Sequence, residues 1–335
     1  MNRADFKLSI DGVDFTDKAR PRLKLLSLTQ KRGGEADRLE ILLDDSDGKM
    51  AIPPTNRLIK LQLGWKAGSD VKPGLVDKGR FTADEPVWFG PPDQISISAR
   101  SADLTGKFRT RREKSHNDTT LGAVVEKIAA ANGLEARVAP ELASIAVPIL
   151  TQHHQSDMAF LRRLGREHDA VATVKDRKLI LSPIGKGETA TGKPLPSITL
   201  TKASGDSYRY TEIDRSSAAG VEARWHDIDA GERKTVMAGG GGESGGTPKR
   251  LRKVYHSEAE AKAAAKAEAG RMKRGAAEFS MTLALGNAAL APETSVKLSG
   301  FKPQADAREW IVAEVTHRLD KSGGFVSDVR LETKG

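Results

Sequence analysis

Hydrophobic and polar residues alternate with a period of two through the first third of the chain, the spacing that puts every second side chain on one face of a strand. Phe6, Leu8 and Ile10 precede Asp11-Gly12; Leu23, Leu25 and Leu28 precede Gly33-Gly34; Leu39, Ile41 and Leu43 follow. Leu58–Trp65, Arg80–Phe89 and Gln94–Ala99 continue the pattern, so this region reads as an antiparallel barrel or sandwich. The period then changes. Leu121, Val124, Val125 and Ile128 fall at helical spacing, with Asp118 or Thr119 as the expected N-cap and Asn132-Gly133 as a left-handed stop.

The sharpest local signal lies in Gln152–Ser182. Ser156 suits a helix N-cap, and Asp157 suits the first turn, where a carboxylate meets the positive end of the helix dipole. Met158, Phe160, Leu161 and Leu164 form an apolar stripe, with Arg162, Arg163 and Arg166 on the other side. Leu161 and Leu164 are expected to be core residues that fix this helix against a barrel. His168 falls in the last turn, where a partly protonated ring would suit the negative end of the dipole. Beyond it Asp169 is the expected left-handed residue, and the period returns to two. Val171–Val174 and Leu179–Leu181 flank a polar turn at Lys175–Lys178, which predicts a β-hairpin. Its centre is Asp176-Arg177, where a type I′ turn prefers glycine second, so the turn type stays open.

A Gly, Thr and Pro-rich linker at 186–196 predicts a domain boundary. Strand-like runs return at Ile198–Thr201, Ser207–Thr211 and Gly220–His226. Gly239, Gly240, Gly241 and Gly242 open a Gly-rich stretch that reads as a flexible loop. Ser257 with Glu260 predicts a capping box on an Ala-rich helix that closes near Gly275, supported by a Glu258–Lys262 pair. Glu278–Leu285, Ser295–Leu298, Trp310–Leu319 and Val326–Leu331 complete the strands. The predicted fold is mainly β with α insertions (α+β): two tube-like antiparallel β-barrel or sandwich domains, 1–105 and 186–335, joined by a small helix-hairpin segment at 106–185.

A chain of 335 residues is long enough to bury several cores. It has no cysteine, which excludes disulfides, thiolate chemistry and Cys-bound zinc. No apolar run reaches the length of a membrane span, and the N-terminus enters strand alternation directly, so a soluble chain with no membrane anchor is expected. The formal charge of +9 brings nucleic acid, acidic lipid and acidic protein into view as partners. Aromatic residues at 5% argue against single-strand binding by base stacking.

The basic excess gathers in two places: Lys107, Arg109, Arg111, Arg112 and Lys114, and Lys249, Arg250, Arg252 and Lys253. Both fall in predicted connections and read as polar contacts to an acidic neighbouring subunit. The Gly-rich loop lacks the lysine of a phosphate-binding loop, since Gly246 is followed by Thr247-Pro248. Asp44–Gly48 resembles a calcium loop, but Leu43 and Pro54 stand where its first and last ligands belong, so it reads as an acidic turn. His153 and His154 are adjacent, and adjacent side chains on a regular strand or helix diverge, so no shared metal is expected. There is no His-Glu-x-x-His or Gly-x-Ser-x-Gly motif. No catalytic residue, metal ligand or cofactor is assigned, and the chain is not expected to be an enzyme.

Gln155, Ser156, Asp157, Phe160, Leu161, Arg163 and Leu164, followed by a helix end and a hairpin, resemble the motif of the phage late control gene D family, the baseplate hubs of contractile tails, related to the N-terminal hub part of VgrG proteins. The resemblance implies a structural role. Three copies would form a ring whose six β domains meet a six-fold tail tube at one end and a three-fold central spike at the other, leaving a channel for DNA in transit. Implied partners are the chain itself as a homotrimer, the tail tube protein, the central spike protein and other baseplate proteins. The implied location is the virion tail baseplate, assembled in the host bacterial cytoplasm. The hub of a bacteriocin, toxin-delivery particle or secretion system is the nearest alternative. A cell-wall hydrolase and a basic nucleic-acid-binding regulator stand further off.

Overall fold

The computed structural model describes residues 1–33, 35–101, 108, 110–189, 192–212, 220–228, 230–239, 247–321 and 324–334. Lys107, Arg109 and Gly240–Gly242 lie outside the described residues.

β1 (Arg3–Ile10) turns through Asp11 and Gly12, both at positive φ (49° and 84°), into the short β2 (Val13–Asp14). One turn of helix, α1 (Thr16–Ala19), leads to β3 (Leu23–Lys31), β4 (Arg38–Asp44), β5 (Leu58–Ala67), β6 (Gly74–Phe89) and β7 (Gln94–Arg100). The middle of the chain forms β8 (Arg111–Thr120), α2 (Leu121–Ala131), β9 (Glu135–Val138), α3 (Pro140–Ala143), β10 (Ala146–Ser156), α4 (Asp157–Glu167), β11 (Ala170–Lys175) and β12 (Lys178–Pro183). The last part holds β13 (Ile198–Thr201), β14 (Gly205–Glu212), β15 (Val221–Asp227), β16 (Glu232–Ala238), β17 (Lys249–Tyr255) and α5 (Glu258–Arg274). It ends with β18 (Ala277–Leu283), β19 (Ser295–Ser299), α6 (Pro303–Asp306), β20 (Glu309–Asp320) and β21 (Gly324–Thr333). The fold is mainly β with α insertions.

Strands from both ends of the chain share one sheet, in the order β14-β18-β21-β20-β3-β4-β7-β6-β5-β1-β2. β20 is the joint. Its first residues, Glu309–Ile311, pair with β19; after a register shift between Val312 and Glu314, the rest, Glu314–Asp320, pairs with β3. β21 flanks β20 along its length.

These two strands also pass from one core to another. Leu319 and Phe325 pack with Phe6, Leu8, Leu26, Leu28, Ile41 and Leu63, whereas Trp310, Val312, Val315, Val329 and Leu331 pack with Phe279, Met281, Leu290 and Leu298. Each fully buried Leu is worth roughly 1.5–3 kcal/mol, so the two cores dominate the energetics. The buried indoles also satisfy their N–H groups: Trp65 donates to the Gly286 carbonyl and Trp310 to the Ala305 carbonyl, both at 2.8 Å.

The middle segment has its own core. Leu121, Val124, Val125 and Ile128 of α2, Phe160, Leu161 and Leu164 of α4, and Leu179 and Leu181 of β12 meet there. The stripe on α4 therefore faces its own hairpin and α2; the expectation that it packs on a barrel is corrected. The cap of α2 is also corrected. Thr120 Oγ1 accepts from Ala123 N at 3.3 Å, while Asp118 takes a positive φ (46°) within β8. At the far end Gly133 supplies the left-handed stop (φ 67°).

β15, β16 and β17 form a separate three-stranded sheet covered by α5, whose Ala261, Ala264 and Ala265 let the helix approach closely. Ser257 caps α5 by accepting from Glu260 N, but the Glu260 carboxylate accepts from His256 N, one residue before the cap, so the reciprocal half of the predicted box is displaced. Gly239 ends β16 against Ala269 of α5, where an added Cβ would come within 2.7 Å of the Ala269 Cβ. Among the described residues no helix is long and apolar enough to cross a membrane.

The β11–β12 turn resolves the question left open by its sequence. Asp176 and Arg177 both take positive φ (48° and 60°), the conformation of a type I′ turn. An arginine in this region carries a penalty of roughly 1–2 kcal/mol. Arg177→Gly should therefore raise the unfolding free energy by about 0.5–1 kcal/mol, after the extra unfolded-state entropy of glycine is subtracted. Denaturant titration measures this, and a fall in stability would show that contacts of the Arg177 side chain outweigh its backbone strain.

Candidate functional site

The motif residues around the start of α4 tie three elements together. Ser156 Oγ accepts from Ala159 N at 3.2 Å. Asp157 is buried at 1% exposure and accepts from Asn132 Nδ2 at the end of α2 and from Gln152 Nε2 of β10, each at 3.0 Å, with Arg112 Nε of β8 at 3.6 Å. A buried carboxylate is costly unless it is paired and hydrogen-bonded, and here the donors come from the elements it joins. Gln155 Oε1 accepts from Arg163 Nε at 3.2 Å, and the same guanidinium donates to the Thr151 carbonyl at 2.8 Å. Phe160, Leu161 and Leu164 fill the core beneath. The motif is a junction.

The basic residues lie elsewhere than their sequence suggested. Arg111, Arg112 and Lys114 are on β8, and Lys249, Arg250, Arg252 and Lys253 are on β17, so both groups stand on strands rather than in connections. Several are paired within the chain: Lys249 with Glu268, Arg250 with Glu222 at 2.8 Å, and Lys253 with Glu167 at 3.4 Å. Exposed pairs of this kind contribute about 0–1 kcal/mol each. Arg252 is exposed on the same strand.

A cleft of about 580 Å³ lies between the first β region and the β11–β12 turn, lined by Ser9, Leu58, Lys60, Asp77, Arg80 and Asp176 among others. Its charges neutralise one another, Lys60 with Asp77 at 3.1 Å and Arg80 with Asp176 at 2.5 Å. At the end of β6 three consecutive apolar side chains, Val87, Trp88 and Phe89, are exposed at 41%, 53% and 44%. Side chains alternate along a strand, so Val87 and Phe89 share one face and Trp88, opposite Ile95, projects from the other.

Comparison with known proteins identifies the family. A family model described as phage tail baseplate hub (GPD) matches residues 66–323. The chain is 38% identical to a probable baseplate hub protein of Escherichia phage 186 over 98% of its own length and 92% of that protein, and 37% identical to the corresponding protein of Escherichia phage P2, over 98% and 93%. The chain belongs to the phage tail baseplate hub family. Its fold is also that of a 43 kDa tail protein from prophage MuSo2 of Shewanella oneidensis, with a TM-score of 0.70 at 13% identity and 98% coverage of both chains.

In this hub the middle segment is clamped to both β regions by ion pairs, hydrogen bonds and packing. On one side Lys175 Nζ lies 3.0 Å from Asp37 Oδ2, Arg80 reaches Asp176, and Val171 packs on Gly33. On the other, Arg274 donates to Asp169 at 2.8 Å, Arg271 reaches the Arg166 carbonyl, and Gly185 N donates to Glu293 Oε2 at 2.8 Å. Glu293 also lies 2.5 Å from Arg32 Nε; burial nonetheless pushes its carboxyl above the usual range. Asp169 takes the expected left-handed conformation (φ 50°), which leaves its carboxylate free to meet Arg274. At His168, the C-cap of α4, burial lowers the pKa and so opposes the partial protonation expected from the helix dipole.

Two features escaped the sequence reading. Lys78 of β6 is buried at 8% exposure, with Leu290 O at 3.0 Å, His317 Nε2 at 3.0 Å and Gln30 Oε1 at 3.2 Å from its Nζ. No pattern around Lys78 distinguishes it from the exposed lysines. The other is the pair His153 and His154. Instead of diverging, their rings sit 4.6 Å apart on one side of β10. A bulge between Gln152 and Gln155 breaks the regular alternation there.

Proposed function

We propose that three copies of this hub close into a ring that adapts a six-fold tail tube to a three-fold central spike and forms part of the ejection channel. The observation that carries this reading is the pair of sheet-built regions within one chain, each with its own core, joined through β20 and β21. Two such units per chain give six per trimer, which is how a three-fold assembly can meet a six-fold one. The organisation into a first β unit (1–105), a middle segment (106–185) and a second β unit (186–335) belongs to this reading.

Force would pass through the continuous sheet, and the middle segment, held by Asp37, Asp169 and Asp176, would act as a brace. The exposed Val87–Phe89 end of β6 supports a contact with a neighbouring protein in the baseplate. The role is mechanical rather than catalytic, and assembly takes place in the host cytoplasm before the tail is completed.

Mass measurement tests the stoichiometry. Light scattering on the purified chain with its spike should give three hub copies per spike trimer, and averaged images of tails should place three hubs beneath one tube ring. Six copies, or one, would overturn the proposal. Release of peptidoglycan fragments by the purified chain would replace the mechanical reading with a hydrolytic one.

A further inference from the structure

The outer face of the two-stranded β8–β10 sheet carries three side chains of metal-ligand type. Gln152 stands opposite Lys114 and Gln155 opposite Arg112, so the two bulged residues, His153 and His154, face Glu113 alone. This is the count of a β-bulge, two residues against one, and such bulges re-aim side chains. His154 sits in the left-handed region (φ 46°), at a cost of order 1 kcal/mol. As a result His153 Nδ1 lies 3.5 Å and His154 Nε2 2.9 Å from the same Glu113 oxygen. Ligand atoms of all three residues fall within 4.8 Å of one another.

We propose that Glu113, His153 and His154 bind one divalent first-row transition cation of the zinc class. Zinc bonds of about 2.0–2.1 Å in a tetrahedron require ligand atoms about 3.3 Å apart, and the two distances to Glu113 bracket that value. Two imidazoles with one carboxylate suit zinc, copper or nickel, whereas magnesium and calcium prefer oxygen ligands. Three protein ligands leave a fourth position for water or for a group from a neighbouring molecule. Arg112 and Lys114 project from the opposite face of β8 by strand alternation, and Arg112 lies against the buried Asp157, while the exposed Arg111 shares the face of Glu113 two positions away. A simple ion pair of histidine with Glu113 needs only one imidazole, which leaves the positioning of the second unexplained.

The inference is independent of the stoichiometry proposed above. The test uses the full chain, free of any affinity tag and stripped with chelator, titrated calorimetrically with Zn²⁺ and followed by absorption with Co²⁺. The expected result is one ion per chain with the intense visible bands of tetrahedral cobalt. His153→Ala, His154→Ala and Glu113→Gln should each weaken binding by about tenfold or more. All three residues are exposed, so the metal-free variants should keep the wild-type melting temperature. A wild-type chain that binds no Zn²⁺ at millimolar concentration, or a triple variant that binds as the wild type does, would overturn the proposal.

Discussion

Replacing Phe160 with alanine should remove about 3–5 kcal/mol of stability, the usual cost of emptying an aromatic site in a packed core. The ring is 0% exposed, stacks on His116 with centroids 6.0 Å apart, and carries the Arg163 guanidinium at 5.1 Å. It sits in the core shared by α2, α4 and the hairpin, which is distinct from the two sheet cores. The loss should therefore be local. Hydrogen exchange should accelerate across residues 111–183 while the strands around β20 keep their protection. A loss below about 1 kcal/mol, or one spread evenly over the chain, would show that the middle segment does not fold around this ring.

Stability should also rise as the pH is raised from 7 toward 10, and Lys78 should account for much of the rise. Burial lowers its pKa from 10.5 to about 7, opposed by the Asp37 carboxylate. Between those values the unfolded chain binds more protons than the folded one, so raising the pH favours the fold; the gain is complete above pH 10.5 and is lost as the pH falls through 7. The shift corresponds to a gain on the order of 3–5 kcal/mol across the window. His317 adds to the acid side. Burial and the neighbouring Lys78 hold its ring well below its ordinary 6.5, so stability should fall further as the pH drops below 6.5. Thermal denaturation of the wild type and of Lys78→Met across pH 6–10 measures the effect. An equal slope in the two proteins would show that Lys78 keeps its proton throughout, held by Leu290 O, Gln30 Oε1 and His317 Nε2.

Ser156, Asp169, Gly133 and the leucines of β3 and β4 were legible because each acts through a local rule: a cap, a left-handed stop, or alternation over a buried face. The motif was legible as a motif, though its chemical purpose was not, since the donors to Asp157 come from Asn132, twenty-five positions away, and from β10. β8 and β17 were missed as strands because RREKSHNDTT and KRLRKVY are mostly exposed and carry charge on both faces; their ladders come from partners rather than from burial. Thr120 rather than Asp118 caps α2 because the helix begins at Leu121, which puts Thr120 in the position whose hydroxyl reaches Ala123 N, while Asp118 sits two residues further back at positive φ. The histidine pair failed an argument that assumed regular alternation, and one bulge was enough to undo it. The joint at β20 was beyond reach because Ser27 pairs with Arg318, and nothing near either residue encodes that partnership.

That same pairing imposes an order on biosynthesis. As the chain leaves the ribosome, β3 emerges early, but its β20 neighbour is translated almost three hundred codons later. Until then one border of the first sheet presents bare amides and carbonyls, the condition under which strands recruit strangers. A product cut short before Glu309 would keep that border open permanently, so truncated hubs should appear in the insoluble fraction of the cell rather than as half-built intermediates.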